Sequence, residues 1–246
     1  MTQNPYSLLG IGLLLAGALF TPTSYFILLS IPLTALGISL LILGSVCLAL
    51  GKTRPKIPPE LSSLLLEIGL DNISTLLEEL GLKSKAVYLP PSMIQGKPRA
   101  LIPLHSNPSL PEVKGPLSQR LIVKYGPNPE DVGLLVTTLG SVCLGMLESP
   151  PGSTTGELEA SLFSILGGVM DMADGVRVTE RGLDKILVEV ISPRLIYRNL
   201  YFYRCLGSPL ASVVASFAAS ALNKPVVINR EAYKKNEGWI ELGVLG

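Results

Sequence analysis

Apolar residues run almost without a break from Tyr6 to Leu50, and no Asp, Glu, Lys, Arg or His occurs before Lys52. As one helix this stretch would extend roughly 65–70 Å, about twice a hydrocarbon core of ~30 Å, so the pattern predicts two spans that fold back. The polar interruption Thr21-Pro22-Thr23-Ser24 is the expected turn, because Pro22 lacks a backbone donor and disfavours helix at the residue before it. The hairpin then occupies residues 1–51, with helices over about 5–20 and 24–50. The first is short for a span, and the second is long enough to tilt, with Pro32 expected to kink it.

After Gly51 the pattern changes. Lys52–Pro59 is a basic, proline-rich linker, extended rather than helical. In Glu60–Leu82, Leu61, Leu64, Leu65 and Ile68, then Ile73, Leu76, Leu77 and Leu80, recur at helical spacing. Two short amphipathic helices broken near Gly69–Asp71 are predicted. Short β-type runs follow at Ala86–Leu89, Arg99–Leu104 and Arg120–Tyr125. Gly133–Thr138 is either another strand or the start of a helix containing Val142–Leu147, which periodicity does not separate. Pro150-Pro151-Gly152 is a clear break and a possible seam.

The second half is more regular. A helix is predicted from Thr155 to about Ala173, and strands at Gly175–Glu180 and Lys185–Ile191 around a turn at Arg181-Gly182. Asn199–Cys205 is expected to extend that sheet. Ser208 and Pro209 open a helix to Leu222, as a Ser cap with Pro at the first helical position. Val226–Arg230 and Trp239–Val244 close the chain as an antiparallel pair. The element order lacks regular strand–helix alternation, so residues 60–246 are expected to form a mixed α+β domain with an antiparallel sheet.

Charge changes the picture in two ways. All 20 Lys/Arg and all 19 Asp/Glu lie after Gly51, and an ionised side chain at a bilayer centre costs at least about 2.5–3.5 kcal/mol. The lipid bilayer is therefore the expected partner of the first 51 residues, which offer no ionisable group for transport or proton relay. Lys52, Arg54 and Lys56 follow the second helix with no acidic residue among them, which predicts a multi-pass cell-membrane protein with its soluble domain in the cytoplasm. A cleaved signal peptide is not expected, since no Lys or Arg precedes the first apolar run and a longer one follows. Small residues (Gly10, Gly12, Ala16 and Gly17; Ala35, Gly37, Ser39, Gly44 and Ser45) suit close approach of the two helices. Near-neutral charge (+1) gives no basic field for nucleic acid.

Ser208-Pro-Leu-Ala-Ser212 and Ala221-Leu-Asn-Lys-Pro-Val226, ahead of a final hairpin, resemble the C-terminal part of a group of uncharacterised archaeal membrane proteins. Val87-Tyr88-Leu89-Pro90 and Ile102-Pro103 fit the same pattern. The resemblance implies two N-terminal spans before one soluble domain, and implies no activity. A second likeness is to vinyl-reductase-type small-molecule-binding domains, which also end in a helix, a Pro-Val strand and a last strand. Those carry cysteines near the closing strands. Here the last is Cys205, ahead of the helix, so that family's ligand and metal chemistry does not carry over.

Candidate chemistry is sparse. Cys47, Cys143 and Cys205 lack metal-ligand spacing, the single histidine His105 excludes a His-rich site, and no phosphate-loop or dinucleotide fingerprint occurs. No cofactor or metal is expected. Glu157 and Glu159 suit a helix start. The most suggestive patch interleaves arginine and aromatic residues: Arg194, Tyr197, Arg198, Tyr201, Phe202, Tyr203 and Arg204. It suits binding of a partner protein, lipid headgroups or a small ligand such as a nucleotide, and a strand with one exposed face explains it better. The expected function is a membrane-anchored binding module. The alternative is a membrane-surface enzyme with a site around Asp171 and Asp174 or His105.

Overall fold

The computed structural model describes residues 5–53, 59–94, 97–105, 116–147, 149–182, 184–194 and 200–245. Linker residues 54–58, with Arg54 and Lys56, and the candidate residues Tyr197 and Arg198 lie outside them. The chain divides into two compact units, Met1–Leu66 and Glu67–Gly246.

The first unit is built on two helices, α1 (Pro5–Phe26) and α2 (Ile31–Thr53). At 22 and 23 residues they extend about 33 and 35 Å, so both match a hydrocarbon core of ~30 Å. The expected turn at Thr21–Ser24 is therefore corrected: α1 runs through it, and the chain reverses at 27–30, with Leu29 at φ 48°. Threonine hydroxyls beside Pro22 explain the tolerance. Thr21 Oγ1 donates to the Gly17 carbonyl (2.7 Å), and Thr23 Oγ1 to those of Leu19 and Phe20 (3.0 and 2.9 Å). They supply donors around the gap left by the missing N–H. Pro32 is not mid-helix either; it is the second residue of α2, where no intrahelical donor is required.

The helices meet along a seam of small residues seven apart, Gly10, Gly17 and Ser24 on α1 and Gly37 and Gly44 on α2, all buried. A Cβ at Gly10 would lie 3.0 Å from the Gly44 carbonyl oxygen, and one at Gly17 3.0 Å from that of Gly37. Backbones thus touch, as van der Waals association between apolar helices requires. Gly12 faces open space and takes no part.

Helix α3 (Pro59–Glu79) is continuous where two short helices were expected; neither Gly69 nor Asp71 breaks it. Its C-terminal half joins the second unit through the buried Ser74 and Leu77. That unit is organised on one eight-stranded sheet, antiparallel throughout, in the order β3-β4-β2-β1-β7-β8-β6-β5. The strands are β1 (Val87–Leu89), β2 (Arg99–Pro103), β3 (Ile122–Lys124), β4 (Val132–Val136), β5 (Gly175–Glu180), β6 (Lys185–Ile191), β7 (Val226–Tyr233) and β8 (Glu237–Val244). Because β1 pairs with β7, the sheet continues across Pro150–Gly152 in sequence. The mixed α+β architecture with an antiparallel sheet is the one expected.

Among the described residues this unit also holds a short 3-10 turn at Pro91–Met93, α4 (Leu139–Leu144), α5 (Thr155–Phe163) continuing as a π-helical turn over Ser164–Val169, α6 (Tyr201–Leu206) and α7 (Pro209–Leu222). Capping boxes start α4 (Thr138 with Ser141) and α5 (Thr154 with Glu157). Gly133–Thr138 resolves into a strand, β4, and then the Thr138 cap. Residues 201–206 form a helix rather than an added strand. Helix α7 is the centre of the core, with ten consecutive residues, Leu210–Ala219, buried between the sheet and the helices above it. Tyr201–Leu222 is apolar enough in composition to cross a membrane, yet 78 % of its apolar 18-residue stretch is buried within the protein. Gly207 (φ 73°) and the extended Ser208 break it, leaving α7 only about 21 Å long.

The outer sheet face differs between halves. Over β1, β2 and β4 a second apolar cluster forms, with Ile94 and Leu117 covering Val87, Leu89, Leu101 and Leu135. Over β5, β6 and β8 the outer face carries Arg177, Glu189, Trp239 and Glu241, with Leu187 buried beneath them. Edge strand β5 is guarded: the Val178 N–H donates to Glu159 Oε2 of α5 at 2.9 Å. Glu159 therefore serves the sheet edge, while Glu157 makes the cap.

Candidate functional site

Two irregularities that need specific residues create a cleft beside α7. Strand β7 slips register between Ile228 and Arg230, leaving Asn229 without a counterpart on β8, and the Ile228 and Asn229 carbonyls lie at this slip. Lys85 captures both, its Nζ donating at 3.1 and 2.6 Å. Opposite, α6 ends at Gly207 in a positive-φ conformation, and a Cβ there would also come within 2.6 Å of Ile228. Glycine meets both demands. The chain can then enter the Ser208 cap and Pro209 start of α7.

The cleft has a volume of about 220 Å³, with Lys85, Arg204, Arg230, Tyr203 and Glu231 around it and Ala86, Cys205 and Ile228 forming its apolar part. The three cationic side chains are on exposed residues, and the cleft's one carboxylate is already engaged. Glu231 accepts from the Ser208 N–H (3.0 Å), the Ser208 hydroxyl (2.6 Å) and the Tyr233 hydroxyl (2.9 Å). It sits at the N-terminus of α7, where the helix dipole favours an anion, and Ser208 Oγ in turn accepts from Ala211 N–H at 3.1 Å. Arg230 stands opposite Glu241 across the ladder, and Glu241 lies 3.8 Å from Lys185. Arg204 lies 5.8 Å above the Tyr201 ring, and Tyr201 is fixed by donating to the Leu82 carbonyl (2.6 Å). The surplus positive charge suits an anion.

Nucleophilic chemistry has little support there. Burial pushes the Cys205 thiol above its ordinary value, opposite to the shift of an activated thiol, and its Sγ–H donates to the Leu82 carbonyl. Burial likewise raises Tyr203, and raises Tyr88 far more; the latter donates to the Leu206 carbonyl beneath the α6–α7 break.

The arginine–aromatic patch is divided by the fold. Tyr203 and Arg204 line the cleft and Tyr201 supports Arg204. Arg194 is elsewhere, its guanidinium bridging Asp171 and Asp174. Those two carboxylates, read as a possible acid pair, thus share a cation that ties the turn before β5 to the segment after β6. His105 is exposed at the end of β2, outside the cleft lining. Among the described residues no three His, Cys, Asp or Glu side chains converge as a metal cluster. Lys85, Arg230 and Glu231 are site residues the sequence did not single out. Their one legible signal is the Ser-Pro helix start, which announces a helix N-terminus able to hold a carboxylate.

A broader concavity of about 780 Å³ lies on the outer face of β5, β6 and β8, over Arg177, Leu187, Glu189, Trp239 and Glu241. Its charges alternate in sign and pair weakly, Arg177 with Glu189 at 3.9 Å.

No curated protein and no solved structure matches the chain. A family model described as a domain of unknown function, DUF7982, matches residues 2–242, taking in the apolar hairpin together with the sheet domain, and the chain belongs to that family.

Proposed function

We propose that this protein is a membrane-anchored binding module. Helices α1 and α2 cross the cell membrane as a hairpin, the sheet domain lies on the cytoplasmic side, and the Lys85–Arg204–Arg230 cleft takes a small anionic ligand through a phosphate or carboxylate group. The observation that carries the reading is the charge inventory of the cleft: three cations face it, and Glu231 is saturated by Ser208 and Tyr233. Arginine is the side chain best matched to such oxyanions. Orientation follows from Lys52 in the last turn of α2 and from Arg54 and Lys56 in the sequence after it. An enzymatic role for Asp171, Asp174 or His105 has no observation in its favour, since the carboxylates are engaged by Arg194 and the histidine lies apart from the cleft lining.

The test is titration of the full chain in detergent micelles with inorganic phosphate and with acetate, at constant ionic strength. Binding that weakens at least about tenfold in Arg204→Gln and in Arg230→Gln, the loss of a charge-assisted contact, supports the cleft. No saturable binding of either anion, or binding indifferent to both substitutions, overturns it.

A further inference from the structure

Outside the hairpin, helix α3 carries an exposed apolar face. Leu61, Leu64, Leu65, Leu66 and Ile68 are 47–67 % exposed. Four of its five acidic residues, Glu60, Glu67, Asp71 and Glu78, fall within an arc of about 40° at 100° per residue, with Glu79 at the C-terminal end outside it, and the residues Ile57–Leu82 contain no Lys or Arg. The C-terminal half is held on the sheet domain by the buried Ser74 and Leu77, and Phe202 N–H donates to Ser74 Oγ. In the N-terminal half, none of the described side chains from Leu61 to Gly69 is buried.

The chain restricts where that half lies. Helix α2 ends at Thr53 and α3 begins at Pro59. The short connection between them limits the separation of those ends to roughly 20 Å. An apolar face tethered that closely to the end of a span is continuous with the headgroup region, the boundary in which amphipathic helices bury about 5–10 Å. A second copy is the poorer occupant, because an all-acidic helix offers no opposite charge to set register between like faces.

The geometry points to the N-terminal half of α3 as an interfacial helix, with its leucine face in the headgroup–acyl boundary of the bilayer and its acidic stripe in water. The inference rests on the membrane-spanning reading of α1 and α2.

Tryptophan depth probes test it. L65W, L43W and E78W are placed singly in a W239F background, reconstituted into phosphatidylcholine vesicles with or without shallowly brominated acyl chains. The same three substitutions with Trp239 retained, read as differences from the parent, guard against a background that fails to fold. L65W is expected to emit at short wavelength and to lose about half its emission or more to the brominated lipid, with E78W unquenched. Quenching of L43W alone, with L65W emitting as in water, overturns the proposal while leaving the anchor standing. Absence of quenching in L43W as well removes the hairpin reading beneath it. Short-wavelength emission from L65W that resists brominated lipid and reverts on diluting protein in the bilayer assigns the face to a second copy and also overturns it.

Discussion

Helices α2 and α7 are nearly alike in composition and opposite in surroundings. Both are apolar around their whole circumference, yet 11 % of the apolar 18-residue stretch in Ile31–Lys52 is buried within the protein against 78 % of that in Tyr201–Leu222. A helix without a polar face must lose its contact with water, and protein or lipid can provide that. Length and flanks separate the cases: α2 keeps 23 residues unbroken and ends at Lys52, whereas α7 has 14, enclosed by a Ser-Pro start and an Asn223 cap in the left-handed region. Composition alone therefore does not tell a core helix from a span.

The sharpest way to break this comparison is the same truncation in both helices, read by Trp239 fluorescence during denaturation in micelles. Phe217→Ala, in the fully buried centre of α7, is expected to cost about 3–5 kcal/mol. Leu43→Ala, on the exposed side of α2, should leave the sheet domain within about 0.5 kcal/mol. Equal losses would show that α2 belongs to the same core.

Ile42→Lys asks the converse. It places a charge on an exposed position of α2 and should disfavour membrane insertion by about 2.5–3.5 kcal/mol, measured as protein released by alkaline extraction. The unfolding midpoint of the sheet domain should stay unchanged. Retention equal to the parent's would sink the lipid reading of α2.

Helix ends offer a smaller contrast. Ser208→Ala removes the α7 cap and a Glu231 partner together, and should destabilise the sheet domain by about 1 kcal/mol in the same denaturation experiment. The smallest effect concerns the exposed cap of α5. The Thr154 hydroxyl and N–H hold Glu157 below its ordinary carboxylate value. Its contribution is present at neutral pH and lost as pH falls through that depressed value. Glu157→Gln should lower stability slightly at neutral and alkaline pH, flatten the acid limb of the stability profile, and leave stability unchanged below the depressed value.

How much was legible follows from which forces act locally. The hairpin, the Ser208-Pro209 start and most strands rest on short-range patterns, and they were readable. The turn was misplaced because Pro22 was weighed alone, without Thr21 and Thr23 as donors to neighbouring carbonyls. The helical spacing of Leu61–Leu80 was seen, and a break was assigned to Gly69–Asp71 that tertiary anchoring at Leu77 overrides. In the site, Tyr203 and Arg204 were within reach, being part of an arginine–aromatic run. Lys85 and Arg230 were not, because a strand slip over 140 residues away in sequence from Lys85 brings them to one cleft. Arg194 was grouped with its sequence neighbours, while the fold gave it to Asp171 and Asp174.

The contact between Glu159 and the Val178 N–H has a consequence for crowding. Strand β5 ends the sheet, and its outward donors would template pairing with any passing extended chain. Proteins confined to a surface meet their neighbours edge-on far more often than in bulk solution. Glu159 occupies the Val178 donor in the middle of that edge. An extended chain adding to β5 must first displace this carboxylate, so one side chain of α5 sets a condition on pairing at that edge.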